Sequence, residues 1–199
     1  MLLVFALMKE IYFATSNLHK FEEAKKILTN FDIRVHHYNF KHNEIRSDSL
    51  EEVAKEAALC AYQELQKPVF VEDTGLFIDS LQGFPGCYSA WVLKKIGQNG
   101  ILKLLKIEKN RAATFNTCIA FYEDKNNLKI FFGTCKGSIS KAKKGENGFG
   151  YDQIFIPESY KKTFAQSILL KNKLSHRYNA LVQFTNHLFY RSKVEEQKF

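Results

Sequence analysis

Two hydrophobic periods alternate along the chain. Residues 11–15 form a short apolar run of the kind a buried strand needs. A polar stretch from Ser16 to Lys20 follows, and then Phe21, Ala24, Ile27 and Leu28 recur at helical spacing. Phe31, Ile33 and Val35 alternate and predict a second strand. Ser49 with Glu52 three residues on has the form of a capping box, and it opens a helix carrying Val53, Ala57, Ala61 and Leu65. Pro68 is placed to end that helix, and residues 69–71 predict a third strand. Residues 88–96 and 101–105 return to helical spacing.

The middle of the chain changes period. Phe115, Thr117, Ile119 and Phe121 alternate against Asn116, Cys118, Ala120 and Tyr122. Residues 123–127 read as a hairpin loop, and 128–139 as a second long strand. A Lys- and Gly-rich loop spans 141–150. A closing helix is expected from about Ser175, with Ala180, Leu181, Phe184 and Leu188 on one face. Strands alternating with helices around one inserted hairpin predict an α/β core. No repeat or low-complexity linker interrupts the 199 residues, so one domain, or two tightly joined lobes, is expected.

Composition narrows the partner. The chain is 45% hydrophobic and 25% charged, which is globular usage. A net charge of +8 points to an anionic partner. The basic residues fall in small clusters (Lys94-Lys95, Lys141 to Lys144, Lys161-Lys162) with no long arm, which favours a nucleotide over nucleic acid. Cys60, Cys87, Cys118 and Cys135 are widely spaced, so neither a zinc site nor a redox dithiol is expected, and reduced thiols in a cytoplasmic protein are. Met1 to Met8 is apolar but lacks a basic start and is too short for a signal or a membrane span. Residues 1–7 are expected to be an N-terminal extension.

Chemistry concentrates in four stretches. The apolar run at 69–71 meets Glu72 and Asp73, followed by Thr74-Gly75 and the turn Gly83-Phe84-Pro85-Gly86. A strand that ends in acids delivers carboxylates to the sheet rim, where ligands of open α/β folds lie. Asp73 reads either as a turn cap or as an acid for a metal or for water. Thr15-Ser16-Asn17-Leu18-His19-Lys20 joins a strand to a helix start, where free N–H groups attract anions; Ser16 or Asn17 is alternatively only a cap. Gly148-Phe149-Gly150-Tyr151-Asp152 offers close backbone approach, with Phe149 or Tyr151 to stack on a base, or is simply a surface loop. Lys171 precedes Ser175-His176-Arg177, where Ser175 suits an N-cap; Arg177 in the first turn opposes the helix dipole unless an anion, a polar ligand or an ion pair compensates it.

In this order the motifs resemble the inosine triphosphate pyrophosphatase family, from about Lys9 to Leu188. The resemblance implies a long twisted mixed sheet flanked by helices, in two lobes with the nucleotide in the cleft between them. It implies a homodimer that hydrolyses deaminated purine nucleoside triphosphates (ITP, dITP, XTP) to monophosphate and pyrophosphate with Mg²⁺. By the same likeness, Thr15, Ser16, Asn17, Leu18, His19 and Lys20 form the triphosphate cradle. Asp73 is the catalytic acid and a metal ligand, Glu44 a second ligand, Glu72 a possible third, and Thr74 a substrate contact where serine is commoner. Phe149, Gly150, Tyr151 and Asp152 recognise the base, with Lys171, His176 and Arg177 contacting base and phosphate. Adjacent strand residues face opposite ways, which favours Asp73 over Glu72 at one ion. No membrane and no nucleic acid is implied. Gln166, Tyr178 and the pair Trp91-Val92 depart from the family's usual residues. A nucleotidase with another base preference and a non-catalytic nucleotide or nucleic-acid binder are the alternatives.

Overall fold

The computed structural model describes residues 10–43 and 45–196, with side chains to Phe189. Residues 1–7 and Glu44, both singled out above, lie outside the described residues. The strands are β1 (Glu10–Ala14), β2 (Arg34–Tyr38), β3 (Val69–Ile78), β4 (Pro85–Gly86), β5 (Ala112–Tyr122), β6 (Leu128–Ile139) and β7 (Phe155–Pro157). The helices are α1 (Leu18–Thr29), α2 (Leu50–Leu65), α3 (Ser89–Leu104), α4 (Ile168–Leu174) and α5 (His176–Glu196). The strands make one open mixed sheet in the order β2-β1-β3-β5-β6-β7, with β4 also on β3. β1 runs parallel to β2 and β3, and the remaining pairs are antiparallel.

The period-2 alternation of β3 distributes its side chains to two cores. Phe70 packs with Phe13, Ile119 and Phe121 under α1 and α5. Val69 and Val71 pack on the other face with Cys118 and Ala120 under α2. Beyond the acids, Leu76 and Ile78 join Phe115, Phe155 and Phe164 in a third cluster. The apolar faces of α1, α2 and α5 at i, i+3 and i+4 are buried in this way, which is the main source of their stability.

Several expectations are corrected. β3 does not end at the acids; it continues to Ile78, so Glu72 and Asp73 sit mid-strand and the chain turns only after it. β2 begins at Arg34, because α1 runs to Thr29 and Asp32 turns the chain at φ 54. At its centre β5 is buried on both faces, since Cys118 and Ala120 are buried as fully as Ile119 and Phe121. The two helical runs at 88–105 meet at Gly97, where φ 64 and ψ −174 kink α3. α4 and β7 had no clear signal in the hydrophobic pattern. The box at Ser49 is half made: its hydroxyl accepts from Glu52 N at 3.3 Å, while the Glu52 carboxylate accepts instead from the Ser47 hydroxyl at 2.7 Å.

One feature of the sheet creates the site. β1 pairs with β3 only at Val69 and Phe70, and β4 joins the same edge only at Leu76 and Phe77. From Val71 to Gly75 this edge of β3 has no strand beside it among the described residues. The gap opens where β1 ends and α1 begins.

Candidate active site

A cleft of about 640 Å³ lies at this gap, a volume suited to a small-molecule ligand. Its wall contains Thr15, Ser16, Asn17, His19 and Lys20 from the β1–α1 turn. Glu72, Asp73 and Thr74 come from β3, and Phe149, Gly150, Tyr151 and Asp152 from the glycine loop. Lys171, His176 and Arg177 come from α4 and α5. Of the predicted residues described, only Leu18 does not line it; its side chain is exposed.

Asn17 organises the anion end. Its Oδ1 accepts from the N–H groups of His19 at 3.0 Å and Lys20 at 3.2 Å, which makes it the N-cap of α1. Its own N–H donates to Thr15 Oγ1 at 3.1 Å. The turn is thus held in shape while the helix terminus carries its partial positive charge towards the cleft. The Lys20 ammonium donates to the Glu72 carbonyl oxygen at 3.1 Å and lies 3.4 Å from Glu72 Oε1.

A buried charge cluster stands behind it. Arg177 donates from Nε to Glu72 Oε2 at 2.6 Å and from Nη2 to Glu72 Oε1 at 2.8 Å. Its Nη1 donates to Glu23 Oε2 at 2.5 Å. The Lys171 ammonium donates to Glu23 Oε1, and to Asp152 Oδ2 at 2.6 Å. Burial by itself would raise the Glu72 carboxyl, but the charges of Arg177 and Lys20 overturn this and hold it well below the usual carboxylate range. Burial would lower Arg177, but Glu72 and Glu23 hold its pKa above the ordinary value. Lys171 and Arg177 therefore do not meet a ligand as uncompensated cations: each already has two carboxylate partners. Glu72, with one oxygen bound to Thr74 and both to Arg177, is committed to this cluster and is a poor metal ligand.

The aromatic end is built on Phe149. His19 stacks on its ring at 5.1 Å, and Lys171 and Arg177 approach the same ring at 4.3 and 5.6 Å. Asp152 holds the loop by accepting from Phe149 N at 2.8 Å. Gly148 makes this possible: it has φ 76, and a Cβ there would lie 2.2 Å from Asp152 Oδ2. Of the two rings that could stack on a base, Tyr151 is committed elsewhere. Its ring belongs to the core, and its hydroxyl donates to the Ser89 carbonyl oxygen at 2.9 Å. His176 stacks on Phe115, is buried, and its Nδ1 has no hydrogen-bond partner among the described residues. Burial first and the neighbouring Arg177 charge second lower its pKa well below the ordinary value, so the ring is neutral. Gly133 lets α5 come this close, since a Cβ there would lie 2.0 Å from the His176 carbonyl oxygen.

Asp73 faces away from the cluster. It lies on the α2 side of β3 with Cys118 opposite it in register. Burial, with the Asp73 charge next, pushes the Cys87 thiol up to about 11. Asp73 is half-buried at the cleft wall, a hard oxygen donor suited to Mg²⁺. No group of three His, Cys, Asp or Glu side chains among the described residues forms a metal cage. Mg²⁺ held by one or two carboxylates and the phosphates of its substrate needs none, so this wall fits that ion.

The hydrophobic pattern missed Glu23. The available signal was its position one turn after Lys20 on α1, a spacing that places both side chains on one face. Gln166 needs no charge, for its amide completes a capping box with Thr163. Tyr178 packs against the α1–α5 core. Trp91 lines the cleft mouth, exposed, with Lys95 over its ring at 5.7 Å.

These features define an α/β protein whose sheet gap forms a cleft with an anion-binding end and an aromatic end. The chain belongs to the Ham1 family, which it matches over residues 11–187. A dITP/XTP pyrophosphatase of Methanopyrus kandleri is 45% identical over 93% of this chain and 98% of its own length. One of Thermococcus kodakarensis is 46% identical over 88% and 95%. The solved HAM1 protein from Coxiella burnetii is 29% identical and superposes with a TM-score of 0.81 over 92% of this chain and all of that one.

Proposed function

We propose that this protein is a nucleoside-triphosphate pyrophosphatase that hydrolyses dITP, ITP and XTP to the monophosphate and pyrophosphate. The observation that carries the reading is the meeting, in one cleft, of Asp73, a capped helix terminus with Lys20, and a Phe149 platform beside His176 and Arg177. Relatives that bear the name dITP/XTP pyrophosphatase at 45% and 46% identity support the same activity.

The triphosphate lies along Thr15 to Lys20, and the base against Phe149. The donors left on Lys171 and Arg177, with the neutral His176 ring, face a 6-oxo group. An adenine amino group would meet donors instead, leaving buried groups unpaired, and such a mismatch discriminates strongly. Asp73 orients the attacking water at the α-phosphorus or holds the metal, with Glu44 as a second carboxylate. Mg²⁺, when bound, offsets phosphate charge and makes a coordinated water more acidic. Lys20 adds charge stabilisation at the phosphates. The family resemblance supports a homodimer and a cytoplasmic location; among the described residues no helix is long and apolar enough to cross a membrane.

A pyrophosphate-release assay over dITP, XTP, dATP, dGTP and TTP, with and without Mg²⁺, tests the reading. Turnover of dITP and XTP is expected to exceed that of dATP by about 100-fold or more. Equal turnover of dATP, or release of orthophosphate instead, would overturn it.

A further inference from the structure

Glu23 is the only described residue whose carboxylate contacts both Lys171 and Arg177. One oxygen takes the Lys171 ammonium and the other takes Arg177 Nη1 at 2.5 Å. The side chain is nearly buried, at 14% exposure. Arg177 is held on its other nitrogens by Glu72, and Lys171 on its other side by Asp152. Both cations lie against Phe149. Glu23 is also one helical turn beyond Lys20, on the helix whose start forms the anion end.

We propose that Glu23 is a positioning residue that aims Lys171 and Arg177 at the base and sets their distance from the triphosphate seat. This rests on the reading that the base lies against Phe149. An ammonium has three protons, and here carboxylates take two of them. A guanidinium is planar, so bonding Nε, Nη1 and Nη2 sets the direction of its remaining N–H groups. The cations are thereby turned from mobile charges into directional donors. Replacing buried ion pairs with apolar groups is often neutral or stabilising, so a cluster of this size at a cleft wall is a poor device for stability alone. It is a good device for register, because α1 links the base-end carboxylate rigidly to the cradle.

Glu23→Gln and Glu23→Asp test the proposal. Gln keeps the shape and loses the charge. Asp keeps the charge but is too short to span both cations, so it decides the matter alone where Gln does not fold. The readouts are kcat/KM for dITP and dATP, inhibition by inorganic tripolyphosphate, and thermal unfolding. Both variants are expected to narrow the dITP:dATP ratio by about 10-fold, chiefly through loss of dITP turnover. Tripolyphosphate, which has no base, is expected to inhibit them within about twofold of wild type. A folded variant that keeps the wild-type ratio, or loses dITP and tripolyphosphate recognition together, would overturn the proposal. A wild-type enzyme with no preference for dITP would instead overturn the proposed function.

Discussion

Glu72 grips Arg177 through two hydrogen bonds, 2.6 Å to Nε and 2.8 Å to Nη2, and both side chains are almost wholly out of water. The two residues stand 105 positions apart, so this contact ties the central strand to the closing helix. Glu72→Gln keeps the volume and removes the charge that Arg177 was buried against. Breaking one partner of a buried pair costs about 3 kcal/mol. Urea unfolding is expected to show a loss of that size, and an unchanged midpoint would mean that water reaches Arg177.

In the proposed function Asp73 carries the chemistry, while the buried ion pairs that join β3 to α5 are made by Glu72. Asp73 is half-buried and outside the Glu72 cluster. Asp73→Asn is expected to lower Mg²⁺-dependent pyrophosphate release by about 100-fold or more. Far-UV circular dichroism is expected to show the fold retained, because Asn keeps the size of Asp73 and its place in β3. Near-normal turnover in this variant would remove Asp73 from the mechanism.

Acid should destabilise the protein in two windows. The folded state lowers the His176 pKa, so the unfolded chain binds a proton that the folded chain does not as pH falls below 6.5. Stability is full above 6.5 and is lost progressively as pH falls below it. The Glu72 carboxyl is also depressed, so its contribution is present above 4.5 and declines as pH falls further. Urea midpoints from pH 8 to pH 4 should show both, and His176→Gln should remove only the upper one. A flat profile between 6.5 and 5 in the wild type would contradict a neutral His176.

Gly133 is expected to be intolerant of a single methyl group. Its added Cβ would lie 2.0 Å from the His176 carbonyl oxygen and 2.4 Å from Ala180 N, both backbone atoms. Gly133→Ala should cost about 1–3 kcal/mol through overpacking. It should also depress turnover by more than lost stability explains, because it displaces the start of α5. Full activity in a thermally stable variant would show that α5 can shift without harm.

Local signals carried far. The caps at Asn17 and Ser49, the helical spacing of Phe21 to Leu28 and the alternation of Phe115 to Phe121 all report contacts within a few residues, and each has its counterpart in the fold. Ser175 is likewise confirmed as a cap, its hydroxyl accepting from Tyr178 N at 3.1 Å. β3 shows where local pattern stops being sufficient. Acids normally end a buried strand, yet here β5 pairs along the whole of β3 and carries it past them. Tyr151 and Phe149 look alike in sequence and both line the cleft, but only Tyr151 is also packed in the core, with its hydroxyl held by the Ser89 carbonyl oxygen.

The order of motifs along the chain was enough to single out four stretches that the fold brings to one cleft: Asp73, the cap-bearing turn before α1, the glycine loop and the basic pair Lys171 and Arg177. Each depends on neighbours that the chain itself keeps close. The charge state and freedom of those groups were decided only in three dimensions. Arg177 and Lys171 look like open cations in a line of text, but partners as far as 154 residues away neutralise them. The cleft itself exists because β1 and β4 both stop short on one edge of β3. Side-chain spacing encodes faces and caps; it does not encode which distant charge a buried group will meet, because that follows from how whole elements pack.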